Sequence, residues 1–215
     1  MKSIVLKIAA LALAVLALCA AAEKPVFDGW EGRWNSLYSY LQDDEVAAAV
    51  AELAKTKGQA PGDLAGEFIE LFHTDMPAIN IEGDTLTLMS DTFSSDTATE
   101  LNTIYYSLII SGEGTAVFEA QKQEPATGQA QKTVLNYLLL TPVWPEGETA
   151  KGFHLRYSAT LKGLTRDPGW LPAMLAHDST AEEAIAYLSY FTLFAQAEQI
   201  AEEQGVDTSA GSAAT

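Results

Sequence analysis

Hydrophobic positions change their period twice along this chain. Near the start, Trp30, Trp34, Leu37, Tyr38 and Leu41 recur at helical spacing, and Asp28 with Glu31 three residues on reads as a helix N-terminus. Asp43 and Asp44 open a second, alanine-rich helix over about 45–55, which Gly58 ends. Residues 61–72 predict a third helix, with Leu64, Phe68 and Leu71 on one face. The pattern then shortens to strands. Residues 78–81 and 85–89 flank a turn at Glu82-Gly83-Asp84. Segments 101–111 and 115–121 flank Gly112-Glu113-Gly114, and 133–141 and 152–160 read as two further strands. Helical character returns at the end. Residues 170–176 predict a short helix. Ser179 and Glu182 read as a capping box ahead of an apolar face of Ile185, Leu188, Phe191 and Phe194.

Helices, about six meandering antiparallel strands, then a helix suit a mainly β fold, a lipocalin- or calycin-like antiparallel β-barrel with flanking helices. Closing the barrel removes exposed sheet edges, and a small barrel holds one ligand at its mouth. The aromatic stripe of Trp30, Trp34 and Tyr38 reads as core rather than as a ligand shelf, because it packs a helix onto the sheet. The domain is expected over 23–197. Residues 198–215 are the helix end and an Ala/Ser/Gly/Thr tail.

Lys2 and Lys7, an apolar run over 8–18 and Ala20-Ala21-Ala22 read as an export signal over 1–22, with cleavage after Ala22. Lipoprotein processing at Cys19 is the competing reading, set back by bulky Leu18 before it. Cleavage after Ala22 leaves no cysteine and excludes thiol chemistry. No later run is apolar enough for a membrane helix. The protein is therefore expected to be periplasmic or otherwise exported. With 29 acidic against 12 basic residues, the formal charge of −17 argues against nucleic-acid binding, which needs a basic face. It favours cationic partners, divalent metal ions among them. Gly-x-Ser-x-Gly, Walker-type and His-Glu-x-x-His motifs are absent, so no enzyme is expected.

Phe27-Asp28-Gly29-Trp30-Glu31-Gly32-Arg33-Trp34-Asn35-Ser36-Leu37-Tyr38, followed by Leu41, resembles the opening of the ZinT (YodA) family. Thr74-Asp75-Met76 with Ile79 and Ile81, Gly152-Phe153-His154-Leu155, and the stretch from Trp170 and Pro172 to Glu182-Glu183 follow in the family's order. The resemblance implies a secreted, lipocalin-like domain that binds zinc, a domain also found fused to zinc-uptake binding proteins. A zinc-uptake system is the partner it implies. In the family, zinc is held by one loop histidine and by a His-x-His pair on a strand. His154 matches the last of these three. Gly152 stands at the first position of the pair, and the loop position falls near Pro142 or Val143.

Strand alternation places Gly152, His154 and Arg156 on one face. His154 reads either as a zinc donor or as a hydrogen-bonded residue at the barrel rim, and a neighbouring guanidinium repels a cation. His73, at a helix end, and His177, beside Asp178, are further candidates to reach a rim site. Two functions follow: a zinc-binding or zinc-buffering protein with His154 as its metal residue, or a small-ligand or protein-binding module that kept the barrel and lost the metal. Arg156 and aromatic side chains are the contacts expected for the second. A purely structural envelope role is a third reading.

Overall fold

A computed structural model describes residues 25–112, 115–126, 134–144, 150–167 and 169–203, with side chains as far as 192. The export leader expected at 1–22 and the tail beyond 203 lie outside them. Eight antiparallel strands run in sequence order round a closed barrel: β1 (Gly32–Ser36), β2 (Ala78–Glu82), β3 (Thr85–Met89), β4 (Glu100–Gly112), β5 (Thr115–Pro125), β6 (Tyr137–Leu140), β7 (Gly152–Ser158) and β8 (Ala173–Ala176). Between β1 and β2 the chain forms α1 (Leu37–Tyr40), α2 (Asp44–Lys57) and α3 (Pro61–Phe72). A 3₁₀ turn (Leu161–Thr165) precedes β8, and α4 (Ala181–Glu203) follows it. The lipocalin-like barrel with flanking helices is thus the fold.

The local chemistry of the elements is direct. The Asp43 side chain accepts from the Glu45 and Val46 amides at the start of α2, and Gly58 ends that helix in a left-handed conformation at φ 68°. Pro61 opens α3 at a position where its missing N–H costs nothing.

Four expectations are corrected. The helix expected from Asp28 is a turn followed by β1 and the four-residue α1. Gly29 and Gly32 take φ of 95° and 131°, which no helix tolerates, and Trp34 points into the barrel as a strand residue. The four-residue spacing of Trp30 and Trp34 survives only as a bond from Trp34 Nε1 to the Trp30 carbonyl, 2.9 Å. The short helix expected over 170–176 is β8, which pairs with β1 and β7 and closes the barrel. The cap of α4 sits one residue on. Glu183 Oε2 accepts from the Thr180 amide at 2.7 Å, while Thr180 Oγ1 accepts from the Glu183 amide at 3.2 Å. The β6 strand also starts later than expected, at Tyr137.

Two apolar clusters divide the molecule. Phe27, Trp34, Phe118, Leu138, Phe153, Leu155 and Met174 fill the barrel interior. The second cluster joins Ala173 and Leu175 on the outer wall to Val46, Val50, Leu64, Phe68, Phe72, Tyr187 and Leu188 of α2, α3 and α4. Neighbours on β8 therefore belong to opposite clusters, so this wall is buried on both sides.

Candidate metal site

The same alternation governs β7. Phe153 and Leu155 enter the barrel core, so His154 and Arg156 face outward. The barrel-rim position expected for His154 is corrected accordingly: the ring lies on the outer wall, beneath α4. Its strand is fixed by the returning segment before it. The His154 amide donates to Thr141 Oγ1 at 2.9 Å, and the Thr141 amide donates to the His154 carbonyl at 3.1 Å. Three residues on, the Trp144 amide donates to the Gly152 carbonyl at 2.9 Å, and its indole Nε1 donates to the Ala150 carbonyl at 2.7 Å. These bonds lay the Trp144 indole across Gly152 and beside His154.

Around the imidazole the contacts are aromatic. Trp144 lies 5.1 Å from the His154 ring, centroid to centroid. Tyr187 of α4 stacks on Trp144 at 5.2 Å with the planes 10° apart. The Tyr187 hydroxyl meets His154 Nε2 at 3.1 Å. Burial pushes the His154 pKa from 6.5 down to about 4 and pushes the Tyr187 phenol up, so both are neutral at physiological pH. The carbonyls of Pro172 and Leu171 pull the imidazole back towards protonation, and Arg156 adds a small push the other way. Neither carbonyl completes a hydrogen bond of good geometry, and Nδ1 is buried with no partner.

The other expected residues lie elsewhere. Arg156 donates to the Leu164 carbonyl at 3.2 Å and so ties the 3₁₀ turn to the wall. His73 is exposed, edge-on to Tyr38 at 5.0 Å. His177 is exposed beside Asp178, 3.9 Å away, and lines a cleft of about 300 Å³ with Glu31, Arg33, Lys151 and Glu183. Among the described residues, no three His, Cys, Asp or Glu side chains converge as a metal requires. A histidine at 152 would not fit this packing either. A Cβ there would stand 2.7 Å from the Trp144 indole and closer still to the Met174 carbonyl oxygen. The residues present therefore do not form a three-histidine set.

Trp144 and Tyr187 were not foreseen from the sequence. A tryptophan in a proline- and glycine-rich loop, and a phenol among the apolar residues of a helix, were the signals available: both bring a polar atom that needs a partner when buried.

The family model described as ZinT (YodA) periplasmic lipocalin-like zinc-recruitment matches residues 20–187. The chain belongs to the ZinT family. Its closed barrel agrees with the lipocalin-like fold of that description. Two solved structures share this fold. One is the Zn(II)-bound ZinT-like domain of Streptococcus pneumoniae AdcA, at 17% identity and a TM-score of 0.51, covering 79% of this chain and 93% of the domain. The other is Zn(II)-bound AdcA itself, at 16% identity and a TM-score of 0.54, covering 79% of this chain but only 36% of AdcA. No curated protein matches the sequence. The ZinT family is described as periplasmic, and no helix among the described residues is long and apolar enough to cross a membrane.

Proposed function

We propose that this ZinT-family protein is exported and recruits or buffers zinc as its cargo, with His154 as the imidazole donor kept from the family's set and a zinc-uptake system as the recipient. Family membership over 20–187 is the observation that carries the reading. Two further features support it. The His154 ring is neutral, the state in which an imidazole ligates zinc. The formal charge of −17 raises the local concentration of cations. Equilibrium dialysis at micromolar free zinc, followed by elemental analysis, tests the proposal. Wild type is expected to retain zinc and His154→Ala to lose it, and a wild type that holds none rejects the reading.

A second reading rests on the packing at Gly152. With Trp144 pressed onto the position where the family has a histidine, the domain is a barrel that has lost its metal and binds a small organic ligand or a partner protein. A native mass spectrum showing a co-purified organic ligand and no metal supports this alternative.

A further inference from the structure

The β4–β5 ribbon outruns its neighbours on both sides, and its two free edges differ in chemistry. β6 pairs with β5 only as far as Glu119, and the Ala120 amide then donates to the Asn136 carbonyl at 2.8 Å. Beyond that point β5 runs on through Gln121, Lys122, Gln123 and Glu124 to Pro125. Charge and proline on a free edge discourage another strand from adding to it. On the opposite side, β3 pairs with β4 only as far as Tyr105, and the Tyr106 amide donates to the Asp84 carbonyl at 2.8 Å. From Ser107 to Gly112, β4 has β5 on one side and, among the described residues, no strand on the other.

This second edge has neither a charge nor a proline. It carries Leu108, Ile109 and Ile110, exposed by 47, 41 and 56%. Exposure of three consecutive strand residues means that neither face of β4 is packed on the barrel here. A register shift at Ile109 bends the edge without charging it. We propose that residues 107–111 of β4 are a strand-addition site. The site takes an extended, apolar segment of a partner protein, antiparallel to β4, with a basic residue at that segment's carboxyl end.

The partner's chemistry follows from the turn at which β3 begins. An added strand that runs in the direction of β3 brings its carboxyl end to Asp84. Glu82 and Asp84 are exposed there, and exposed Glu31 is tied to the same turn by a bond from the Gly83 amide to Oε1, 3.4 Å. Three carboxylates at one end of the edge select a lysine or arginine. Leu108, Ile109 and Ile110 select apolar side chains along the rest, while main-chain bonds supply affinity. A second copy of this chain fits poorly, because each copy brings a formal charge of −17 and the same carboxylates. The site does not depend on zinc.

A capped, fluorophore-labelled peptide of alternating valine and threonine with two lysines at its carboxyl end is the probe, titrated with the protein at low salt. It is expected to bind, and the same peptide ending in two glutamates to bind more weakly by roughly tenfold. On the wild type, the lysine-ended peptide should slow amide exchange over 107–111 and leave 121–125 unchanged. Ile109→Lys and Ile110→Lys replace exposed side chains, so the melting temperature should hold while peptide binding is lost. No binding, equal binding of the two peptides, protection outside 107–111, or binding kept by both lysine variants overturns the proposal. So does a wild-type dimer in sedimentation that either variant breaks, since the edge then belongs to a second copy.

Discussion

Gly152 is held to its identity by its neighbours. Any side chain there collides with the Met174 carbonyl and the Trp144 indole, and the first of these is backbone and cannot swing away. Gly152→Ala is expected to destabilise the protein by about 1–3 kcal/mol, read as a lowered urea midpoint. Gly66 of α3 is the matched control. A Cβ there meets open space, so Gly66→Ala should stabilise by up to about 1 kcal/mol through helix propensity. His154 makes a second prediction at this scale. Its folded pKa of about 4 lies below the 6.5 of the exposed imidazole. The unfolded chain therefore binds the proton first as pH falls, and the folded state loses stability between about pH 6.5 and 4. In the metal-free protein the loss is roughly 3 kcal/mol across that window. His154→Asn should flatten this part of the stability–pH curve, measured by denaturant titration at several pH values. An unchanged slope would mean that other groups dominate the acid response.

Among the elements, α4 joins the chemistry to the fold. The Thr180–Glu183 box sets where the helix begins, and Tyr187 lies seven residues after Thr180, two turns into α4, on the face that meets the wall. Thr180→Ala removes the hydroxyl that caps Glu183, and should cost about 1 kcal/mol. Because the start of α4 then frays, amide exchange should rise in the first turns of the helix while the barrel strands keep their protection. Uniform loosening of the whole molecule would show instead that α4 and the barrel unfold as one unit. The β8 strand is the second element of consequence. It is only four residues long, yet it is buried on both faces and closes the barrel.

For the whole molecule, charge and closure act in opposite directions. An eight-stranded barrel with each strand paired on both sides has little exposed sheet edge to blunt outside the β4–β5 ribbon. The formal charge of −17, by contrast, repels itself in the compact state. Raising sodium chloride from about 20 mM to about 500 mM screens that repulsion over shorter distances and should raise the melting temperature. A melting temperature that falls over this range would mean that screened ion pairs outweigh the repulsion. Among the described residues, exposed pairs such as Lys55–Glu52 and Lys122–Glu124 give little reason to expect that.

The sequence alone carried whatever depends on neighbours along the chain. The caps and breakers of α2 and α3, the hairpin at Gly83 and the strand period of β3, β4 and β5 were legible because a few adjacent residues decide them. So was the Trp-rich opening that points to the ZinT family, and with it the barrel. Tertiary structure decided what local pattern leaves degenerate. Trp30 and Trp34 have helical spacing, yet two positive-φ glycines and pairing with β2 and β8 made a strand of the second. Residues 173–176 read as part of a short helix until the gap between β1 and β7 claimed them as a strand. Above all, alternation on β7 showed that His154 and Phe153 face opposite ways, but not which way was inward. Burial of Phe153 turned the imidazole outward, where Trp144 and Tyr187, ten residues before it and thirty-three after, could close over it.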